Sequence, residues 1–232
     1  MDDSFDINQL PKSKGMILFG ISMARIDNAQ SAASCMKHIE QLCEKIQRTE
    51  GIGLSFLYAD YLYMHTATLS ARKLRNTYVN QMSSHKNGML KLLEKNPAWI
   101  IPSFSFFTWA QLLLEFRDLG LYLQKIKEIY KKDDSFRRAI KRDAQERRLT
   151  QGQADFFLEE ITVLYLLAKG VVSLPNAYIN HHEQWVLNCY PGEPLESERY
   201  LYAHNLLGLD NPKNKYQHHQ YNLSTQRLID LR

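Results

Sequence analysis

Ser22 follows a nearly continuous apolar run, Met16 to Ile21, that contains Gly20, and Asp60 follows a second such run, Leu54 to Ala59. Runs of this kind suit strands buried on both faces. If the two strands lie parallel, Ser22 and Asp60 stand at the carboxyl edge of one sheet, where open α/β sheets bind ligands. A serine there either caps the following helix or points its hydroxyl into the crevice, and the nearby Gly20 permits close backbone approach. Two tyrosines stand out by position: Tyr165 in an apolar helical stretch and Tyr190 at the end of a late apolar run. Each phenol either hydrogen-bonds within the core or serves a site. There is no G-x-S-x-G elbow and no identifiable His/Asp pair to activate Ser22, so a hydrolase triad is not supported. An ester hydrolase would need a histidine within hydrogen-bond reach of that serine.

Other chemistries find less support. Cys35, Cys43 and Cys189 match no zinc spacing, and adjacent histidines on a strand (His181-His182, His218-His219) point to opposite faces, so no metal is expected. No P-loop and no G-x-G-x-x-G fingerprint is present, so ATP and dinucleotides are not indicated. The net charge of +4 is unevenly placed: residues 121–150 carry ten Lys/Arg, among them Arg137, Arg138, Lys141 and Arg142, against five acids. A second cluster, Arg72, Lys73 and Arg75, falls in a stretch with no acid between Asp60 and Glu94. Such clusters are either solvated helix faces or surfaces that recruit a polyanion such as tRNA.

The elements that must position these residues can be read in order. The first strand is followed by a helix over 28–48, with Asp27 or Asn28 as its cap, and by the second strand. Helical signals span 66–95, and Trp99 to Pro102 reads as a short strand. A long helix runs from Phe107 to Lys132, with Gly120 as its break. The basic helix 134–148 and an apolar helix from about Thr150 to Lys169, stopped by Gly170, come next. Asn176–Ile179 and Trp185–Cys189 read as strands, and 196–207 as a last helix. The expected fold is α/β: one domain over 15–209, a mostly parallel sheet with helices on both faces, between a polar segment 1–14 and a loosely ordered polar tail 210–232. The N-terminus is acidic where a signal peptide would be basic, and no apolar run reaches the ~18 residues of a membrane span. A soluble cytoplasmic protein is the expectation.

Taken together, Gly20-Ile21-Ser22, Leu57-Tyr58-Ala59-Asp60, Tyr165-Leu166-Leu167-Ala168-Lys169 and Tyr190-Pro191 resemble the motif series of the tRNA-dependent cyclodipeptide synthases, over about residues 15–205. That family resembles the catalytic domain of class I aminoacyl-tRNA synthetases, which implies a Rossmann-like fold for residues 15–209. Arg25, three residues after the serine, and Tyr190-Pro191 resemble its Tyr-Pro branch.

The resemblance implies an aminoacyltransferase that makes a 2,5-diketopiperazine from two aminoacyl-tRNAs, ping-pong through an aminoacyl-serine, without a cofactor. Ser22 would be the nucleophile, Gly20 would make room for it, Tyr165 would hold the substrate's amino group, and Tyr190 would orient or relay protons. Asp60, Arg25, Pro191 and the residue at 169 would border the substrate. Arg72, Lys73 and Arg75 would hold the tRNA acceptor arm, supported by the 137–148 cluster. One position departs from the pattern. The family carries a glutamate four residues after the helix tyrosine, and here that place is Lys169. Either this chain differs there, or Phe156 and Glu160 take the paired positions; the spacing to Tyr190 favours Tyr165. A monomer is expected. The alternative function is a catalytically silent tRNA-binding Rossmann-like domain, which Lys169 would favour.

Overall fold

Two apolar runs form the centre of the sheet as β1 (Gly15–Ile21) and β2 (Ile52–Tyr58), paired in parallel with Gly15 opposite Ile52. Alternation sends Ile17, Phe19 and Ile21 to one face and Met16 and Leu18 to the other, and both sets are buried. The chain is described by a computed structural model over residues 10, 15–46, 52–66, 70–95, 103–148, 153–172, 185–209 and 217–229. The strand order is β3-β2-β1-β4-β5-β6, with β3 (Ser103–Thr108), β4 (Trp185–Tyr190), β5 (Gln217–Asn222) and β6 (Arg227–Ile229). All neighbours are parallel except β5 and β6.

Phe19, Phe56 and Phe106 lie directly opposite one another on β1, β2 and β3. Their rings stack with centroids 5.5 and 5.0 Å apart. A one-residue slip would send these rings to the opposite face, so the ladder pins register. A Cβ on Gly15 would overlap the buried indole of Trp185, its partner on β4, and only glycine lets these strands pair at this point.

One face of the sheet is covered by α1 (Ala32–Ile46) and α2 (Ala71–Glu94). The other carries α3 (Trp109–Glu115), α4 (Leu119–Lys132), α5 (Asp134–Glu146), α6 (Gln153–Ala168) and α7 (Glu196–Ala203). A short 3-10 helix, Leu62–Thr66, follows β2. The fold is therefore the single Rossmann-like α/β arrangement that the sequence predicts. Among the described residues no helix is long and apolar enough to cross a membrane.

Several boundaries are corrected. The first helix begins at Ala32 because residues 23–31 form turns, held by Gln30, which donates to the Gly20 carbonyl and accepts from the Ser22 N–H. The predicted strand at 99–102 falls outside the described residues; the described strand is Ser103–Thr108, and Phe107 belongs to it. Thr108 then caps α3 in a reciprocal pair with Gln111. The break before α4 lies at Phe116–Asp118, where the backbone of Phe116 extends, and Gly120 sits inside α4. The predicted strand at 176–179 falls outside the described residues. The largest change concerns the expected tail: residues 217–229 supply β5 and β6, and Tyr221, Leu223 and Leu228 are buried against the core.

Candidate active site

The chain moves outward from β1 to β2 and β3 on one side, and from β4 to β5 and β6 on the other. A crevice must therefore open where β1 and β4 adjoin, at their carboxyl ends. A pocket enclosing about 810 Å³ of empty space, its open mouth included, lies there. Gly20, Ser22, Ala59, Asn188, Tyr190 and Gln220 reach it from four strand ends. Tyr63 of the 3-10 helix, Trp109 of α3, Glu160 and Leu164 of α6, Arg147 beyond α5, and Glu198 of α7 complete its walls.

Ser22 is 6% exposed and lines this pocket. Its hydroxyl lies 2.5 Å from the Tyr63 hydroxyl, and its N–H donates to Gln30 Oε1 over 2.8 Å. A Cβ at Gly20 would sit 3.8 Å from the Tyr190 ring, an ordinary contact, so the glycine keeps space open there without being sterically required. Arg25 donates to the Pro191 carbonyl over 2.9 Å, with its guanidinium 5.5 Å from the Tyr190 ring centroid. It thereby ties the loop after β1 to the end of β4.

The opposite wall is polar. Arg147 donates to both carboxylate oxygens of Glu160, at 3.2 and 3.3 Å, and its guanidinium lies 6.0 Å from the Tyr190 ring centroid. Burial is the largest single influence on Arg147 and disfavours the cation, but the Glu160 carboxylate together with Tyr190 and Tyr63 outweighs it and holds Arg147 above its usual range. Glu198 is 3% exposed and accepts from Gln220 over 2.5 Å. Burial, only partly offset by that bond, pushes its carboxyl up to about 7. Buried Asp143 fixes the start of α7, accepting from the N–H groups of Glu196 and Ser197 at 2.8 and 3.0 Å.

The predicted site residues divide into groups. Ser22, Gly20 and Tyr190 converge, with Arg25 and Pro191 directly behind Tyr190. Tyr165 is fully buried and donates to Asn205 Oδ1 over 2.7 Å, and it is not among the residues lining the pocket. Lys169 goes with it, its ammonium 5.4 Å from the Tyr165 ring centroid. Asp60 accepts from the Ala110 N–H over 3.3 Å at the start of α3 and does not line the pocket, and burial raises its pKa. Of the two readings of α6, the structure brings Phe156 and Glu160 to the serine's side: Glu160 lines the pocket, and the Phe156 ring packs edge-on against Tyr63, centroids 5.3 Å apart.

Arg72, Lys73 and Arg75 are exposed on α2, and Arg72 and Arg75 border a shallow groove with Met64, Asn76 and Asn80. In the second cluster, Arg137 pairs with Asp134 and Arg142 with Glu196, while Arg138 bonds Ser135 and Lys141 is exposed. Arg147 belongs to the same run of charge yet faces the pocket. Sequence reasoning missed Tyr63, Arg147, Glu198 and Gln220 as pocket residues. No motif marks them, and only the approach of Tyr63 behind a strand end was a usable signal. Among the described residues no group of three or more His, Cys, Asp or Glu could hold a metal ion.

No family model and no curated protein matches the sequence. Solved structures do, and they define the class of fold: it is that of the cyclodipeptide synthases. The cyclodipeptide synthase of Candidatus Glomeribacter gigasporarum, solved bound to Phe-tRNAPhe, aligns with a TM-score of 0.60 at 20% identity, covering 91% of this chain and 89% of that one. The Staphylococcus haemolyticus enzyme aligns at 0.58 and 15% identity, over 94% of this chain and 93% of that one. A Mycobacterium tuberculosis protein, whose structure relates cyclodipeptide synthetases to type I tRNA synthetases, aligns at 0.56 and 15% identity, over 88% and 84%.

Proposed function

We propose that the protein is a tRNA-dependent cyclodipeptide synthase. The observation that carries this reading is Ser22, whose hydroxyl borders an open pocket at the β1/β4 crevice together with Tyr190, Glu160 and Arg147. An aminoacyl-tRNA ester is already activated, so a serine can exchange into it without ATP. Ser22 attacks the ester carbonyl of the first aminoacyl-tRNA, the acyl–ribose bond breaks, and the tRNA leaves with its hydroxyl. The amine of a second aminoacyl-tRNA attacks the acyl-serine carbonyl, the acyl–Oγ bond breaks and Ser22 regains its proton, which leaves a dipeptidyl ester on the second tRNA. Its free amine then attacks that ester carbonyl, the acyl–ribose bond breaks, and the second tRNA leaves with its hydroxyl as the diketopiperazine ring closes.

Glu160 is the carboxylate placed to hold the substrate's ammonium, sharing that charge with Arg147 across 3.2 Å. This assignment replaces the expectation for Tyr165 and Lys169, neither of which is among the residues lining the pocket. Tyr190 orients the acyl group and moves protons in the later steps. The exposed cations of α2, Arg72, Lys73 and Arg75, bind the phosphates of the acceptor arm, with Arg138 and Lys141 as a supporting surface. The reading as a silent RNA-binding domain rested on Lys169, and a lysine over the Tyr165 ring does not bear on Ser22 chemistry. The chain works as a monomer in the cytoplasm, where charged tRNA is available. The test is expression in a bacterial host with mass spectrometry of the medium. A cyclic dipeptide made by the wild type and lost in Ser22→Ala supports the proposal, and its absence from the wild type overturns it.

A further inference from the structure

Among the described residues that line the pocket there is no histidine. Glu160 is engaged by Arg147, and Glu198 by Gln220. The side chain that does meet the Ser22 hydroxyl is Tyr63, oxygen to oxygen at 2.5 Å. Its ring is held by two aromatic neighbours. The ring packs edge-on against Phe156 and Tyr78, with centroids 5.3 and 6.4 Å away. Two residues on, His65 bonds Glu159 of α6 over 3.0 Å, and that same carboxylate accepts from the Trp109 indole over 2.8 Å. The 3-10 helix is thus tied to α6 through a carboxylate that also holds α3, with Tyr63 lining the pocket.

We propose that Tyr63 is a catalytic residue that shuttles the proton during acylation of Ser22. The proposal rests on the functional reading above. As Ser22 Oγ bonds to the acyl carbon, its proton passes to the Tyr63 oxygen. Tyr63 gives its own hydroxyl proton to the ribose oxygen as the acyl–ribose bond breaks. The phenol ends as it began, and the tRNA leaves as a neutral hydroxyl. Such a relay needs a phenol that stays protonated, and burial pushes Tyr63 up to about 12, against the lowering effect of the Ser22 bond.

The experiment uses bulk bacterial tRNA charged with a mixture of radiolabelled amino acids and follows single-turnover labelling of the enzyme. Tyr63→Phe, which keeps the ring, is expected to slow labelling by about two to three orders of magnitude. A difluorotyrosine at position 63, whose phenol is more acidic, is expected to move the alkaline fall of the labelling rate to lower pH. A merely structural ring would leave that profile in place. Labelling of the wild type with Tyr63→Phe equally fast, or an unmoved profile, overturns the shuttle alone. No labelling of the wild type overturns the functional reading and the shuttle with it.

Discussion

Arg147 and Glu160 meet across 3.2 Å at the wall of the pocket, joining the residue after α5 to the middle of α6, and both side chains are about a quarter exposed or less. Glu160→Gln removes the carboxylate that would hold the substrate's ammonium and leaves a largely buried guanidinium underpaired. Cyclic dipeptide output is expected to fall at least tenfold, and stability by about 2 kcal/mol. Mass spectrometry of the product and a denaturant titration check the two effects separately. Unchanged output would remove Glu160 from the substrate site.

Tyr165 provides the contrasting case. Tyr165→Phe deletes the bond to Asn205 without touching the pocket, so it is expected to cost about 1 kcal/mol of stability and to leave product formation within a factor of two or so. If Tyr165→Phe abolishes the product while Glu160→Gln does not, the assignment of roles on α6 is inverted.

The difference between those two residues explains what sequence could and could not reveal. Phe156 and Glu160, four residues apart, share one face of α6, as Tyr165 and Lys169 share another. Glu160 and Lys169 are nine residues apart, about two and a half turns, and so point in opposite directions. In a helix as uniformly apolar as α6 no polar stripe says which face meets the crevice. Ser22 and Tyr190 were legible because strand ends define the crevice, and β1, β2 and β4 because their apolar runs are continuous. The Ser-Phe alternation of β3 and the polar string Gln217-His-His-Gln-Tyr-Asn222 of β5 carry no such run. Those strands are fixed by pairing with β2 and β4, a tertiary fact, and β5 then brings Gln220 to Glu198.

Glu198 gives a pH signature. Its folded pKa of about 7 exceeds the usual carboxylate value, so the folded state binds this proton more tightly than the unfolded state does. Stability from this group is complete below the unfolded value and is lost as pH rises from about 4.5 through about 7. Glu198→Gln keeps an acceptor for Gln220 and removes the ionisation. It is expected to raise Tm relative to wild type at pH 8 and to converge with it near pH 4, as read in a pH series of thermal melts. A constant offset between the two proteins would contradict the buried-acid assignment.

Arg72→Ala combined with Arg75→Ala should leave the fold intact, since both side chains are exposed. Affinity for tRNA should drop, and the slope of log affinity against log salt should become shallower by about 1 per phosphate contact removed. Filter binding across a salt series measures both quantities. Equal slopes in mutant and wild type would place tRNA elsewhere on the surface.

The most direct test is to trap the enzyme with labelled aminoacyl-tRNA and map the modified peptide by mass spectrometry. An aminoacyl ester on Ser22, absent from Ser22→Ala, is the predicted result. An adduct on another residue, or no adduct from a preparation that releases cyclic dipeptide, would contradict an acyl-enzyme built on Ser22.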